Sequence, residues 1–359
     1  MLLFSILSII LVPVSAIPLE ASAFRFTNSS IFPSPSDSAS ASIFNVTAGI
    51  DGSNSSIRFA LETNDDLISQ DARIDHFNAN EESIDKRQAS PGLYLTKGSV
   101  WTQDQPGEEW QNAGWARLAV DEGEDGVSFD GTFTLFSSQY EIELGADDDG
   151  SPNMIAHKHQ SDFSKGNNTS SHSRCGTGLE TSLDKRQNGW NAWGDNLEAN
   201  IGNTYGCPNT RQVAYIGIMT DCTYTAGFNS SESARRYILN MVNTASVVFE
   251  NSFNISLSIQ NLTLSDTECP ATTSESTAWN TPCSNGDLNS RLQDFSSWRS
   301  SINDNNAYWT LLSGCSVSSG EVGVSWVGAL CNSGSGSRHS GGASANVVSR
   351  TQLEWQVFA

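Results

Sequence analysis

Seven cysteines are the residues of this chain best placed for chemistry, and one of them stands apart. Cys175 lies ten residues ahead of the dibasic pair Lys185-Arg186, within SHSRCGTGLETSLDKRQ at 171–187. A dibasic pair in an exported chain is the mark of a processing convertase, and the related SIDKRQ sets a second one at Lys86-Arg87. Beyond Arg186 six cysteines remain: Cys207, Cys222, Cys269, Cys283, Cys315 and Cys331. That even set can close three disulfides in an oxidising compartment. Cys269 and Cys283 bracket a Thr/Ser-rich excursion that a local bridge could close, although spacing alone does not give connectivity. Cys175 is left over. An unpaired thiolate just before an activating cut suits a cysteine switch, in which it ligates a catalytic metal and blocks the open position until the prosegment leaves. The plain alternative is a prosegment thiol that stays free or forms a mixed disulfide.

The five histidines are His76, His157, His159, His172 and His339; no two form HExxH, and only His339 follows Arg186. His157 and His159, in HKH, read as solvated surface. A Ser/His/Asp hydrolase would have to use His339, whose HSGG context lacks a nucleophile elbow. Acidic residues are too numerous for any pair to be singled out for glycoside cleavage. A catalytic zinc takes about three protein ligands and keeps an open position. Residues 187–359 offer one histidine, so no metal ligand is assigned in them and this polypeptide is expected not to hydrolyse peptides by itself.

These residues must be positioned by the rest of the chain. Residues 1–16 read as a signal peptide, with an apolar run from Leu2 to Val14 and small residues up to Ala16. No later apolar stretch is long enough to span a bilayer. The expected destination is the secretory pathway and the exterior. The net charge is -21, with twelve basic against 27 acidic residues up to Arg186 and seven against 13 after it. Neither part suits nucleic acid, which needs clustered positive charge. Sequons at Asn28, Asn45, Asn54, Asn167, Asn168, Asn229, Asn254 and Asn261 call for surface positions.

Ser29–Ser42 reads as a flexible Ser/Pro-rich lead-in. Phe44–Leu61 reads as two strands around Asp51-Gly52, and LYLTKGSVW, GWARLAV, GTFTLF and YEIEL read as further strands of a β-rich prodomain over about 44–165. Trp101, Trp110 and Trp115 are assigned to its packing rather than to a sugar-binding face. After Arg186, Arg211–Thr220 reads as a central strand buried on both faces. Ser231–Phe249 and the stretch through Leu288, Leu292, Phe295 and Trp298 read as amphipathic helices. Ile255–Leu264 and Glu321–Leu330 read as strands, and Val347–Ala359 as the opening of another helix.

These pieces resemble, in order and spacing, the reprolysin-type zinc metalloproteases of the ADAM (a disintegrin and metalloprotease) family in its fungal form. The resemblance covers most of 44–359. It rests on FNVTAGIDGSNSSIRFALETNDDLI, GWARLAVDEGEDGVSFDGTFTL, RCGTGLE, AYIGIMTDCTYT, YILNMVNTASVVF, LQDFSSWRSSINDNNAYWTLLSGC, EVGVSWVGALC and WQVFA.

It implies an α/β, metzincin-like but incomplete fold, a twisted mixed β-sheet with packed helices, preceded by the β-rich prodomain. Cys175 matches the family's switch cysteine and Arg186 its activating cut. Val322, Gly323, Val324, Ser325, Trp326, Val327 and Gly328 match the strand that lies along the cleft and binds extended peptide by main-chain hydrogen bonds. The resemblance implies protein or peptide substrates, a processing convertase as partner, and Zn2+ as cofactor of the intact enzyme. The family continues from the position of Ala359 into HExxHxxGxxH, so this sequence is expected to be truncated and not to bind zinc catalytically. Tyr215 stands near where relatives often carry an acidic calcium ligand, and calcium is not expected. The rival reading is a non-catalytic secreted glycoprotein that binds or inhibits; whether transcripts stop after Ala359 distinguishes the two.

Overall fold

A computed structural model describes residues 22–33, 43–77, 83–85, 93–123, 126–146, 152–159, 174–177, 209–274, 276–315, 321–326, 329–331, 342–351 and 354–359. The chain divides into two compact units, Met1–Thr63 with Thr96–Ser161, and Asn64–Leu95 with Asp162–Ala359. The signal peptide, Lys86-Arg87, Lys185-Arg186 and His339 lie outside the described residues.

The chain opens with β1 (Ala23–Pro33), β2 (Ile43–Ile50) and β3 (Ser56–Thr63). It then leaves for β4 (Ile68–Phe77) and β5 (Ser83–Asp85). It returns through β6 (Leu93–Gln103), β7 (Gln111–Gly123), β8 (Gly126–Leu135), β9 (Ser138–Ala146) and β10 (Pro152–Lys158). The first unit is a closed barrel in the order β1-β10-β9-β8-β7-β6-β3-β2. β1 pairs antiparallel with both β2 and β10, which closes the ring and leaves no free edge. Alternation does the rest: Ile57, Phe59 and Leu61 of β3 point inward while their neighbours do not. Phe26, Phe59, Phe129 and Phe133 meet edge-on or tilted at 5.2 to 6.2 Å between ring centroids, and Tyr140 stacks on Phe133 at 5.4 Å. The core is therefore phenylalanine. Trp101, Trp110 and Trp115 are only half-buried, and Trp110 instead faces the Arg58 guanidinium at 3.9 Å. The Ser/Pro-rich lead-in is corrected as well, since its first residues belong to β1.

The second unit adds β11 (Arg174–Thr177), β12 (Gln212–Thr220), α1 (Cys222–Thr225), α2 (Ser231–Phe253) and β13 (Ile255–Ser265). It continues with α3 (Leu288–Ser301), β14 (Tyr308–Ser313), β15 (Glu321–Ser325), β16 (Ala345–Ser349) and α4 (Glu354–Phe358). Its sheet runs β11-β15-β16-β14-β12-β13-β4-β5. β12 pairs in parallel with β13 and β14, and β14 with β16, whereas β15 is antiparallel to β16.

Successive residues enter opposite cores because strand side chains alternate. Ile218, Leu312 and Val348 pack with α2, and Met219, Leu311 and Val347 pack with Trp279 and α3. α2 starts at a capping box between Ser230 and Ser233 and ends at Asn254 in the left-handed region. Gly217 is required at its position, because a Cβ there would enter the Trp309 ring.

The α/β class expected from the sequence is corrected by this architecture. Among the described residues sixteen strands stand against four α-helices, and half of those strands close a barrel of their own. That class was what the resemblance implied for the residues after Arg186. Barrel strands, which show only alternating burial, add sheet without adding helix.

Candidate functional site

The strand matched to the cleft, β15, is short: among the described residues of the expected run, Glu321–Ser325 are in strand conformation and Trp326 is not. Its inner side pairs with β16, Gly323 opposite Val348, Val324 opposite Val347 and Ser325 opposite Asn346. Its outer side is covered by β11, the strand that contains Cys175. The pairing is parallel, with Cys175 level with Gly323, Gly176 with Val324 and Thr177 with Ser325, after a register shift at Arg174. The main-chain groups with which an exposed edge would hold a peptide are thus taken by the chain's own residues 174–177.

Val324 is 3% exposed and belongs to the α3-side core, while Val322 and Trp326 are half-buried and Ser325 is exposed. The Trp326 ring packs against the same core, and its Nε1 has no hydrogen-bond partner among the described residues. Val327 and Gly328 lie outside the described residues.

Gly323 explains why α4 can come close. A Cβ on it would lie 2.8 Å from Val357 Cγ1 and 3.3 Å from the Val347 carbonyl oxygen. Strand β15 and helix α4 therefore meet at the level of Cys175.

Helix α4 is held by a residue that the sequence reading did not single out. Glu354 is 1% exposed and accepts from the Tyr224 hydroxyl at 2.8 Å and from the Tyr237 hydroxyl at 3.3 Å. Burial first, and the Glu354 carboxylate second, push the Tyr224 phenol well above its ordinary range. Arg350 stacks on Phe228 at 3.9 Å and donates to the Gly227 carbonyl at 2.7 Å, so the turn after α1 is tied to the approach of α4. The usable signal was a lone acid at the start of an apolar helix, which must find donors when buried.

A second buried carboxylate organises the end of β12. Asp221 is fully buried and caps α1, accepting from the Tyr224 N–H at 2.8 Å and the Thr223 hydroxyl at 2.6 Å. It also accepts from the Ser313 hydroxyl at 2.5 Å and from Arg291 Nη1 at 3.0 Å. Arg291 donates further to the carbonyls of Trp279, Thr281 and Pro282, which draws the 266–287 excursion onto the sheet.

Two disulfides pin the same excursion. Cys222 bonds Cys269 and Cys283 bonds Cys315, with Cα atoms 5.0 and 5.3 Å apart. The local Cys269–Cys283 bridge is corrected accordingly, because each of these cysteines reaches a strand end instead. Cys331 is exposed and unbridged among the described residues, and Cys207 lies outside them.

Among the described residues no three His, Cys, Asp or Glu side chains gather where a metal ion would be held. They do not supply the ligand set of a catalytic zinc. His157 and His159 face carboxylates instead, Glu143 at 3.6 Å and Glu141 at 3.2 Å. No described helix is long and apolar enough to cross a membrane.

Residues 209–359 match the family model Reprolysin_5, metallo-peptidase family M12. The chain is 33% identical over 382 residues to the disintegrin and metalloproteinase domain-containing protein B of Aspergillus fumigatus, an alignment covering 88% of this chain and 48% of that protein. The protein of the same name from Arthroderma otae is 34% identical over 384 residues, covering 88% and 47%. The zinc metalloprotease mde10 of Schizosaccharomyces pombe is 25% identical over 177 residues, covering 43% and 34%. The chain spans about half the length of the first two relatives. The resemblance drawn from the sequence stands.

Proposed function

We propose that this chain, whose residues 209–359 are of metallo-peptidase family M12, is the latched precursor of a secreted ADAM-type zinc metalloendopeptidase. In this reading 1–16 is a signal peptide, 17–186 a prosegment cut after Arg87 and Arg186, and 187–359 the first part of the catalytic domain. The single observation that carries it is the pairing of β11 with β15. A segment ahead of the Arg186 cut occupies the edge at which an extended substrate would be bound, and brings Cys175 level with α4. The two disulfides suit an oxidising compartment, and exposed sequon residues Asn28, Asn54 and Asn229 are open to glycosylation.

The pairing has a chemical consequence. While β11 is paired, its main-chain groups take the hydrogen bonds on that side of β15 that an extended substrate would need, so the edge opens only when β11 leaves. Zinc is proposed for the intact enzyme alone. The described residues offer it no ligand set.

The test is to sequence the transcript past the codon for Ala359 and to assay the secreted product on a peptide library with and without chelator. The expected result is a frame that continues into HExxH, with chelator-sensitive cleavage appearing after the cut at Arg186. A stop codon at that point, with a stable secreted product that cleaves nothing, would overturn the protease reading in favour of a binding or inhibitory glycoprotein.

A further inference from the structure

The sheet of the second unit has two outer flanks, and both are built from residues ahead of Arg186. One is β11. The other, at the far side from β15, is the excursion Asn64–Leu95, which leaves the barrel sequence after β3 and returns into β6. β4 lies parallel to β13, with Ile68 level with Ile259 and Arg73–Phe77 level with Asn261–Ser265. The Ile259 N–H donates to the Leu67 carbonyl at 2.8 Å. Leu67 is fully buried in the α2-side core with Ile238, Val242, Ile259 and Leu262, and Ile68, Ile74 and Leu95 pack against the same cluster. Asn64 is 6% exposed and donates through Nδ2 to Oδ1 of the fully buried Asn243 of α2 at 2.8 Å. His76 Nδ1 lies 4.0 Å from Asp266 at the end of β13.

This segment adds to its main-chain pairing a side chain in the hydrophobic core and a buried amide pair to a helix. We propose that residues 64–77 are a built-in edge strand that stays seated on β13 after the chain is cut at Arg186. The prosegment is then retained at this edge, independently of Cys175. The inference rests on the reading of Arg186 as a processing point, but its retention claim holds for any cut in that stretch. A nick after Arg87 changes little, because it parts β1–β5 from β6–β11 while β3 still pairs with β6 and β1 with β10. Opening the substrate edge and shedding the prosegment become separate events, the second requiring β4 to leave β13.

The test uses the full chain with a recognition sequence for a site-specific protease inserted after Arg186. After complete cutting, gel filtration should show both fragments eluting together, in the wild type and equally in Cys175→Ser. Leu67→Ala combined with Asn64→Ala should speed fragment separation by about tenfold or more. Hydrogen exchange reads the same edge without any variant, and amides of Ile259–Ser265 should keep their protection within about threefold after the cut. Fragments that separate at once in the wild type, or that Cys175→Ser releases while the Leu67 and Asn64 changes do not, would overturn the proposal. So would loss of protection in β13. Failure of a natural convertase to cut at Arg186, or absence of proteolysis, bears on the protease reading alone.

Discussion

Replacing Asp221 by alanine should be among the most damaging single changes to the second unit, and the size of the effect can be worked from its contacts. The carboxylate and its partner Arg291 are 0% and 1% exposed, so neither charge has water to fall back on. Deleting the acid removes the cap of α1, which costs about 1 kcal/mol. It also strands the guanidinium in the interior, and breaking a buried pair in this way costs about 3–5 kcal/mol. Cap and pair together give about 4–6 kcal/mol, and the Ser313 hydroxyl, left without its acceptor, adds to that.

The two-unit chain makes a single melting temperature ambiguous. Amide exchange in β12 and β14 under increasing urea, with disulfides intact, reads the second unit by itself. Replacing the pair by apolar residues, Asp221→Leu with Arg291→Met, should cost less than Asp221→Ala alone, because no charge is left unpaired. A loss below about 1 kcal/mol for Asp221→Ala, or a double variant worse than the single one, would refute the argument that this pair governs the site.

Three further outcomes follow from the same geometry. Gly323→Val should destabilise the second unit by about 1–3 kcal/mol and loosen α4 selectively, read as faster exchange at 357–359, since the new side chain meets Val357. Removing the Cys283–Cys315 bridge by a double serine substitution should cost about 2–5 kcal/mol, read from amide exchange in β14 under increasing urea, because the bridge closes a 32-residue separation across the excursion. The folded-state pKa of Tyr224 is raised, so its contribution is complete below the unfolded value of about 10 and is lost as pH climbs from there towards the folded value. Alkaline unfolding should accordingly steepen above about pH 10, and Tyr224→Phe should flatten that limb while weakening the hold on Glu354.

Much of the chain could be read locally, because its signals are local. The apolar run at 212–220, the 3.6-residue period of α2 and the alternation of β3 each depend on neighbours within one element, and each appears in the structure where the pattern lies. The order of motifs around Cys175 and β15 carried the family in the same way. Pairing between distant segments was beyond such signals. Nothing in SQDARID marks β4 as a strand beside β13, since register comes from partners about 190 residues away. The barrel closes only because β1, in a Ser-rich stretch, meets β10, and the disulfides join cysteines whose nearest neighbours in sequence are not their partners. Glu354, Asp221 and Leu67 likewise acquire their roles from burial. The sequence by itself determined the elements whose signals are local and the family resemblance, but not β4, nor β16, whose residues 347–349 read as the opening of a helix and are strand. Tertiary structure decided which edges those strands cover, because a strand's outward hydrogen bonds are satisfied by whatever segment the whole fold brings alongside.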